Sequence, residues 1–479
     1  MLEVAIVGAG FGGIAMARAL ESAGETGYRV FEKATEVGGT WRENHYPGAA
    51  CDVPSHLYSL ATAPNAAWTR LFPRQPEIQR HLIGLGQELI ARGRIEFDWQ
   101  LISACWEPGG GCWELKSVRG DTQRARTLVL ALGGLHVPAM PPIPGRERFA
   151  GDSFHSAQWR HDLSLAGRRV AVIGTGASVI QFVPEIAPQV RALTVLQRTP
   201  PWLLPRPDAA FAPWLQRSFA RWPWLRLGLR GSIFMSLEVL TSGLTRRRGG
   251  GLAQALALAH LRRQVTDLKL RAQLTPDYPI GCKRVLLSSD YYPALERANV
   301  ELVSTPIQSI EAHGVRLADG RLIECNVLIY GTGFRPMDVL SGLTIRGRDG
   351  HQLQDDWRFR PQAHLGIGVH GYPNLHFLLG PNTALGHNSV LYMIESQVQH
   401  ILALRRLLHA RGAKSVEPTP AAQAGYLRQV DARFASSAWS ACKSWYLDEA
   451  GNNIALWTDT CIAYRRLTRV PRPDEYQFL

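Results

Sequence analysis

The sequence predicts an α/β protein built from two Rossmann-like dinucleotide-binding domains, interrupted by a helical insertion. Two glycine-rich turns and the polar residues that follow each at a matching offset carry this expectation. The first turn, Gly8-Ala9-Gly10-Phe11-Gly12-Gly13, follows the apolar run Val4-Ala5-Ile6-Val7. The second, Gly174-Thr175-Gly176-Ala177-Ser178, follows Val170-Ala171-Val172-Ile173. Both open stretches with helical patterning, and a strand–turn–helix unit aims backbone N–H groups and a positive helix end at a pyrophosphate.

The offsets identify the two nucleotides. After the first turn, Tyr28-Arg29-Val30-Phe31 reads as a strand ending in Glu32. A carboxylate there accepts hydrogen bonds from unphosphorylated ribose hydroxyls, so Gly8, Gly10, Gly13 and Glu32 are assigned to FAD. At the same place after the second turn, Leu193-Thr194-Val195-Leu196 runs into Gln197-Arg198-Thr199. A permanently charged guanidinium fork suits a 2′-phosphate, so Gly174, Gly176, Ser178, Arg198 and Thr199 are assigned to NADPH. Val179 stands at the last small-residue position of this turn, which predicts looser packing of helix on strand.

Length and composition narrow the class. With 479 residues the chain holds two or three full cores, and 46% hydrophobic against 19% charged residues describe a globular protein. Seven scattered cysteines without a Cys-x-x-Cys point to free thiols in a reducing cytoplasm, and away from a disulfide framework or a dithiol reductase. No apolar run reaches membrane-spanning length, and the N-terminus has no basic leader, so neither a span nor a signal peptide is expected. The net charge of +13 gathers in the middle, at Arg217, Arg221, Arg226, Arg230, Arg246-Arg247-Arg248 and Arg262-Arg263. No nucleic-acid-binding module accompanies it, which argues against nucleic acid. Trp202, Trp214, Trp222 and Trp224 are interleaved, which leaves open either a weak membrane-surface contact or a plain solvated basic face.

Residues 1–145 read as the first nucleotide-binding lobe, closed by the buried strand Arg126-Thr127-Leu128-Val129-Leu130-Ala131-Leu132 that ends in Gly133-Gly134. Pro138, Pro141, Pro142 and Pro144 mark the exit from its sheet. The NADPH lobe is expected over 146–309, with a leucine- and arginine-rich helical insertion at about 205–275. A hairpin turning at Ala318-Asp319-Gly320 leads to Val327-Leu328-Ile329-Tyr330-Gly331-Thr332-Gly333-Phe334. Because that glycine-ended strand repeats the close of the first lobe, the chain is expected to have returned to the FAD domain from 310 to 479. A helix is expected around 393–408.

The connection between the lobes reads Phe149-Ala-Gly151-Asp-Ser-Phe-His155-Ser-Ala-Gln-Trp159-Arg160. Its spacing resembles the Phe-x-Gly-x-x-x-His-x-x-x-Trp signature of type I Baeyer–Villiger monooxygenases. Gly38-Gly39-Thr40-Trp41 and Tyr46-Pro47-Gly48 resemble that family's flavin-side segments. Gly281-Cys282-Lys283-Arg284 with Tyr291-Tyr292 resembles its active-site arginine segment. Gly331-Thr332-Gly333-Phe334 and Ser444-Trp445-Tyr446 resemble two further pieces, the latter contacting NADP. Arg160 and Ala50 depart from the family's usual residues. Related N- and S-oxidising enzymes usually carry Tyr or Phe at the position of Trp159.

The resemblance implies an FAD- and NADPH-dependent monooxygenase that uses O2 to convert a lipophilic ketone to an ester or lactone through a flavin C4a-peroxide. The alternatives are an N- or S-oxidising flavin monooxygenase and a flavoprotein without oxygenase activity. Charge that persists on oxygen needs a cation that never yields its proton, which arginine supplies. Arg284 is therefore the expected catalytic cation, with Asp52 orienting it. The resemblance adds Gly39, Thr40, Trp41 and Asp52 to the FAD site, and Lys283 and Trp445 to the NADPH site. His155 and Trp159 are assigned to the inter-lobe linkage, while His387 and Asn388 are candidates to lie near the flavin. No metal site is expected.

Overall fold

The computed structural model describes residues 1–244, 250–336 and 338–479, so Arg246-Arg247-Arg248 lie outside the described residues. In chain order the first part contains β1 (Leu2–Val7), α1 (Phe11–Ser22), β2 (Tyr28–Phe31), α2 (Thr40–Glu43) and α3 (Gln75–Ala91). It continues through β3 (Ile95–Glu96), β4 (Leu101–Glu107), β5 (Cys112–Ser117) and β6 (Thr122–Leu130). Parallel β6, β1, β2 and β3 form the nucleotide-binding half of the sheet, and antiparallel β4 and β5 extend it beyond β6. The central strand is apolar on both sides, and Val4, Ala5 and Ile6 are fully buried. Such continuous apolar runs are what a sheet covered on both faces requires.

A second sheet follows. Its strands are β7 (Asp152–His155), β8 (Arg169–Ile173) and, after α4 (Val179–Ile186), β9 (Ala192–Leu196). A short β10 (Leu203–Leu204) leads into α5 (Pro213–Arg221), α6 (Pro223–Leu244), α7 (Gly251–Gln264) and α8 (Leu268–Leu274). These four helices fall within the stretch that the sequence marks as helical. The chain then makes β11 (Leu286–Leu287), which pairs with β10, and α9 (Tyr291–Leu295). Next come β12 (Val300–Val303), the small antiparallel sheet of β13 (Ile307–Glu311), β14 (Gly314–Leu317) and β15 (Leu322–Glu324), and β16 (Val327–Tyr330). The five-stranded sheet has the order β12-β9-β8-β16-β7 and is parallel throughout.

This order corrects one expectation. The strand at 327–330 does not mark a return to the first lobe; it lies between β8 and β7 in the second sheet. Its likeness to β6 has a physical cause. A Cβ on Gly8 would meet the carbonyl oxygen of Ala131, just after β6, at 2.5 Å. A Cβ on Gly174 would meet that of Gly331, just after β16, at 2.4 Å. Each nucleotide turn rests on the end of a parallel neighbour, so both lobes need such a strand. The chain rejoins the first sheet later, through β17 (Thr344–Arg346), which pairs with β4, and, after α10 (Leu353–Asp356), through β18 (Leu375–Phe377) on β6.

The remainder is α11 (Val390–Ala410), β19 (Val416–Pro418), α12 (Pro420–Ala435), α13 (Cys461–Thr468) and β20 (Tyr476–Phe478). Helix α11 buries Leu391, Ile394, Val398 and Ile401 against the same core as α1. The cysteine expectation also changes. Cys282 and Cys442 are paired, with Cα atoms 6.0 Å apart, inside the range a disulfide spans. Scattered positions in the sequence gave no sign of that pairing, because the two residues meet only when the C-terminal segment folds back over the second lobe.

Candidate active site

Around the first turn, glycine removes side chains where backbones converge. Gly8 has φ 103°, and a Cβ on Gly13 would fall 1.8 Å from the carbonyl oxygen of Gly8. Gly39, at φ 52°, caps α2 and approaches Gly10 so closely that its Cβ would lie 3.0 Å from the Cα of Gly10. The N-terminus of α1 has no side-chain cap, so its first N–H groups are free to meet an anion. Glu32 is buried at the end of β2, where Oε2 accepts from the N–H of Ala9 (2.7 Å) and Oε1 from that of Ala34 (2.9 Å). Thr40 is half-buried and opens α2, and the buried Trp41 donates from Nε1 to the hydroxyl of Tyr58 at 2.9 Å. A side-chain-free cradle at an uncapped helix end, with a carboxylate alongside, fits the diphosphate and ribose of FAD.

The second turn repeats the design. Gly174 has φ 112°, Gly176 follows it, and α4 begins after Ser178 without a side-chain cap. Ser178 Oγ accepts from Ser156 Oγ at 3.2 Å, and Thr175 donates to the carbonyl of Thr199 at 3.0 Å. The expected looseness at Val179 is absent. Val179 is fully buried and occupies the space that a side chain at residue 331 would need, since a Cβ on Gly331 would lie 2.1 Å from Val179 Cγ2. The glycine has moved from the helix to the facing strand end.

Arg198 is exposed beyond β9, and Lys283 comes near it from the other side of the insertion. Burial first, and then the Arg198 charge, push the Lys283 ammonium below its usual pKa, with Asp277 opposing. The ammonium also sits 4.5 Å from the centre of the Tyr278 ring. Two cations held together against their repulsion fit a phosphate dianion, as NADP carries and NAD does not.

Between the lobes, Arg284 meets Asp52. Nη2 and Nε of Arg284 donate to Oδ2 of Asp52 at 2.6 and 3.1 Å. Cys51 and Val53, on either side of Asp52, are packed into the first lobe's core with Phe11 and Tyr58. Arg284 stands between Cys282, which is fully buried, and Leu286 of the second lobe's core. The Asp52 carboxylate raises the pKa of Arg284 despite the opposing cost of burial. Tyr446 and His387 share this field. Burial raises the Tyr446 phenol while Arg284 pulls it down, and burial first, then Arg284, pushes His387 down to about 4. Neither the Tyr446 hydroxyl nor either ring nitrogen of His387 has a hydrogen-bond partner among the described residues.

His155 and Trp159 are buried in the second lobe rather than at the Asp52–Arg284 pair. The N–H of Ala157 donates to His155 Nδ1 at 3.1 Å, and Trp159 packs on Phe154 and Phe182. Arg160 ties the segment down through Asp152 (2.9 Å) and Asp162 (2.6 Å). Trp445 is 48% exposed and lies with its ring centre 4.2 Å from that of Tyr446.

Sequence reasoning missed Gln181, which joins the lobes. Its Oε1 accepts from the hydroxyl of Tyr46 and the N–H of Ala50, and its Nε2 donates to the carbonyl of Ala50. A lone polar residue in the apolar helix Val179-Ile180-Gln181-Phe182-Val183 was the available signal. Glu238, His387 and Cys461 also converge within 4.8 Å. The carboxylate of Glu238 accepts from Asn388 and from the first N–H groups of α13, so it serves as a helix cap.

Comparison with known proteins places the chain in a family. Residues 6–74 match an NAD(P)-binding Rossmann-like domain, and residues 109–222 match a flavin-binding monooxygenase-like family. A Baeyer–Villiger monooxygenase of Pseudomonas aeruginosa is 44% identical over 98% of this chain and 89% of its own length. Another, from Streptomyces coelicolor, is 41% identical over 100% of this chain and 93% of its own. A steroid monooxygenase structure bound to NADP superposes with a TM-score of 0.88 at 31% identity, covering 100% of this chain and 99% of the other. With nearly its whole length aligned to such relatives, the chain belongs to the Baeyer–Villiger monooxygenase family.

Proposed function

We propose that this protein uses NADPH and O2 to insert one oxygen atom beside the carbonyl of a lipophilic ketone, giving an ester or lactone. When bound, the flavin supplies the activation of dioxygen and NADPH supplies its electrons. The protein's own part is to hold both and to place charge. Gly8, Gly10 and Gly13 with the N-terminus of α1 would take the FAD diphosphate, Glu32 would take its ribose, and Gly39, Thr40 and Trp41 would add to the same site. Gly174, Gly176, Ser178 and the N-terminus of α4 would take the NADPH diphosphate, Arg198, Thr199 and Lys283 would take the 2′-phosphate, and Trp445 would contact the coenzyme. A need for NADPH supports a cytoplasmic setting.

The Arg284–Asp52 pair carries the reading. Attack on a ketone carbonyl puts negative charge on oxygen, and a guanidinium is the side chain best suited to meet it without losing a proton. Asp52 engages the Nε–Nη2 edge, while Nη1 makes no hydrogen bond among the described residues and is free to face the reacting carbonyl oxygen. The deciding experiment supplies the FAD-loaded protein with NADPH, ¹⁸O2 and a cyclic ketone, a long-chain ketone or, in a parallel run, a thioether. One labelled oxygen in an ester or lactone supports the proposal. NADPH oxidation that yields only hydrogen peroxide, or labelled sulfoxide from a thioether without any ester, rejects it.

A further inference from the structure

Helices α5 and α6 carry an apolar side that no described residue covers. Trp214 on α5, Trp222 between the helices, and Trp224, Leu227 and Met235 on α6 are 49–67% exposed. Leu252 and Leu256 on α7 are also exposed. Large side chains of this kind usually lie inside or mark a contact surface.

The opposite side of α6 is pinned to the protein, which fixes which side faces out. Arg230 Nη1 donates to the carbonyls of His56, Leu57 and Ser59. Phe234 stacks on Tyr392 at 4.7 Å, and Glu238 accepts from Asn388 at 2.7 Å. The exposed tryptophans are therefore not awaiting a place in the core.

The charge around this side has one sign. Between 209 and 241, Arg217 and Arg221 are exposed, Arg226 is partly exposed and Arg230 is turned inward, and the single acid, Glu238, is buried. A groove of about 440 Å³, lined by Arg406, Arg465, Arg466 and Arg469 with Ser396 and Gln399, opens beside Tyr392, on which Phe234 of α6 stacks. Arg465 lies over the Tyr392 ring at 5.0 Å, so the aromatic stack links the groove to α6. The neighbouring acid, Glu395, is paired with Arg230 at 3.6 Å.

We propose that α5, α6 and the adjoining arginine groove dock the protein on an anionic phospholipid bilayer. Tryptophan rings suit the boundary between headgroups and acyl chains, and the arginines meet lipid phosphates. No described helix is long and apolar enough to cross a membrane, so the helices lie on the surface. A second copy of the chain is a poor occupant, because two faces of the same positive sign repel. The inner side of α6 bonds Asn388, next to His387 and the Arg284 field. If the ketone reading above holds, a substrate dissolved in the bilayer thus enters beside the site.

The test floats the FAD-loaded full-length protein with vesicles of phosphatidylcholine alone or rich in phosphatidylglycerol. Flotation with the anionic vesicles only, weakened by salt, is expected. Trp214→Ser with Trp224→Ser, and separately Arg466→Ser with Arg469→Ser, should each lower the bound fraction about tenfold. Flavin content, and NADPH oxidation with a water-soluble ketone, should stay at the parent level. Equal flotation with both lipids, no flotation, or full binding by both variants overturns the proposal. So does a dimer without vesicles that the tryptophan variant abolishes. A protein that floats yet makes no ester defeats the functional reading and leaves docking intact.

Discussion

Oδ2 of Asp52 lies 2.6 Å from Nη2 of Arg284, across 232 positions of sequence and between the cores of two lobes. The side chains are 30% and 34% exposed, so the pair is neither sealed nor freely solvated. A carboxylate placed there holds the guanidinium in one orientation and raises its pKa, while Nη1 makes no hydrogen bond among the described residues.

Replacing the cation should therefore separate ester formation from the rest of the cycle. In Arg284→Ala, flavin binding and anaerobic reduction by NADPH persist, while ester formation falls roughly 10²–10³-fold, the usual cost of losing one charge-stabilising donor. Asp52→Asn should lower it less, because the guanidinium remains but loses its orientation. Stopped-flow reduction and product chromatography read the two steps. Equal losses in both steps would remove the assigned role.

Coenzyme choice should rest on the two repelling cations. Arg198→Ala and Lys283→Ala should each raise KM for NADPH about tenfold or more, as expected for a lost charge-assisted hydrogen bond, and scarcely change KM for NADH. Steady-state kinetics with both coenzymes decides this. An equal rise for both coenzymes would show that the residues do not read the 2′-phosphate.

Gly331 and Val179 should behave as a coupled pair. Gly331→Ala puts a Cβ 2.1 Å from Val179 Cγ2 and should cost about 1–3 kcal/mol, the usual range for overpacking. Adding Val179→Ala should recover much of that loss, which a double-mutant cycle of thermal or urea unfolding measures. Additive losses would mean that the glycine is needed for another reason.

Acid should weaken the fold through its buried histidines. Burial pushes His56, His81, His364, His387 and His400 down to about 4 and His376 to about 3. Their folded pKa values lie below the unfolded value near 6.5, so between these limits the unfolded state binds more protons. Stability is thus held above about pH 6.5 and lost as pH falls toward 4, by about 1.4 kcal/mol per pH unit for each ring fully protonated only when unfolded. Removing one such ring with His387→Gln should flatten the slope of unfolding free energy against pH by about one proton. An unchanged slope would mean that His387 titrates normally in the folded protein.

The sequence by itself located the two glycine turns, the acid at the strand end after the first, the arginine at the strand end after the second, and the arginine segment that meets Asp52. These signals are local: a tight turn needs glycine at fixed offsets, and a strand end needs its polar residue within reach of the same nucleotide. Only the tertiary structure decided which sheet takes 327–330, where Val179 finds room, that Gln181 joins the lobes, and that Cys282 pairs with Cys442. Each of those depends on segments far apart in the chain and on which strand lies beside which. A local pattern shows that a glycine-ended strand supports a nucleotide turn, but with two such turns present, only packing chooses between them.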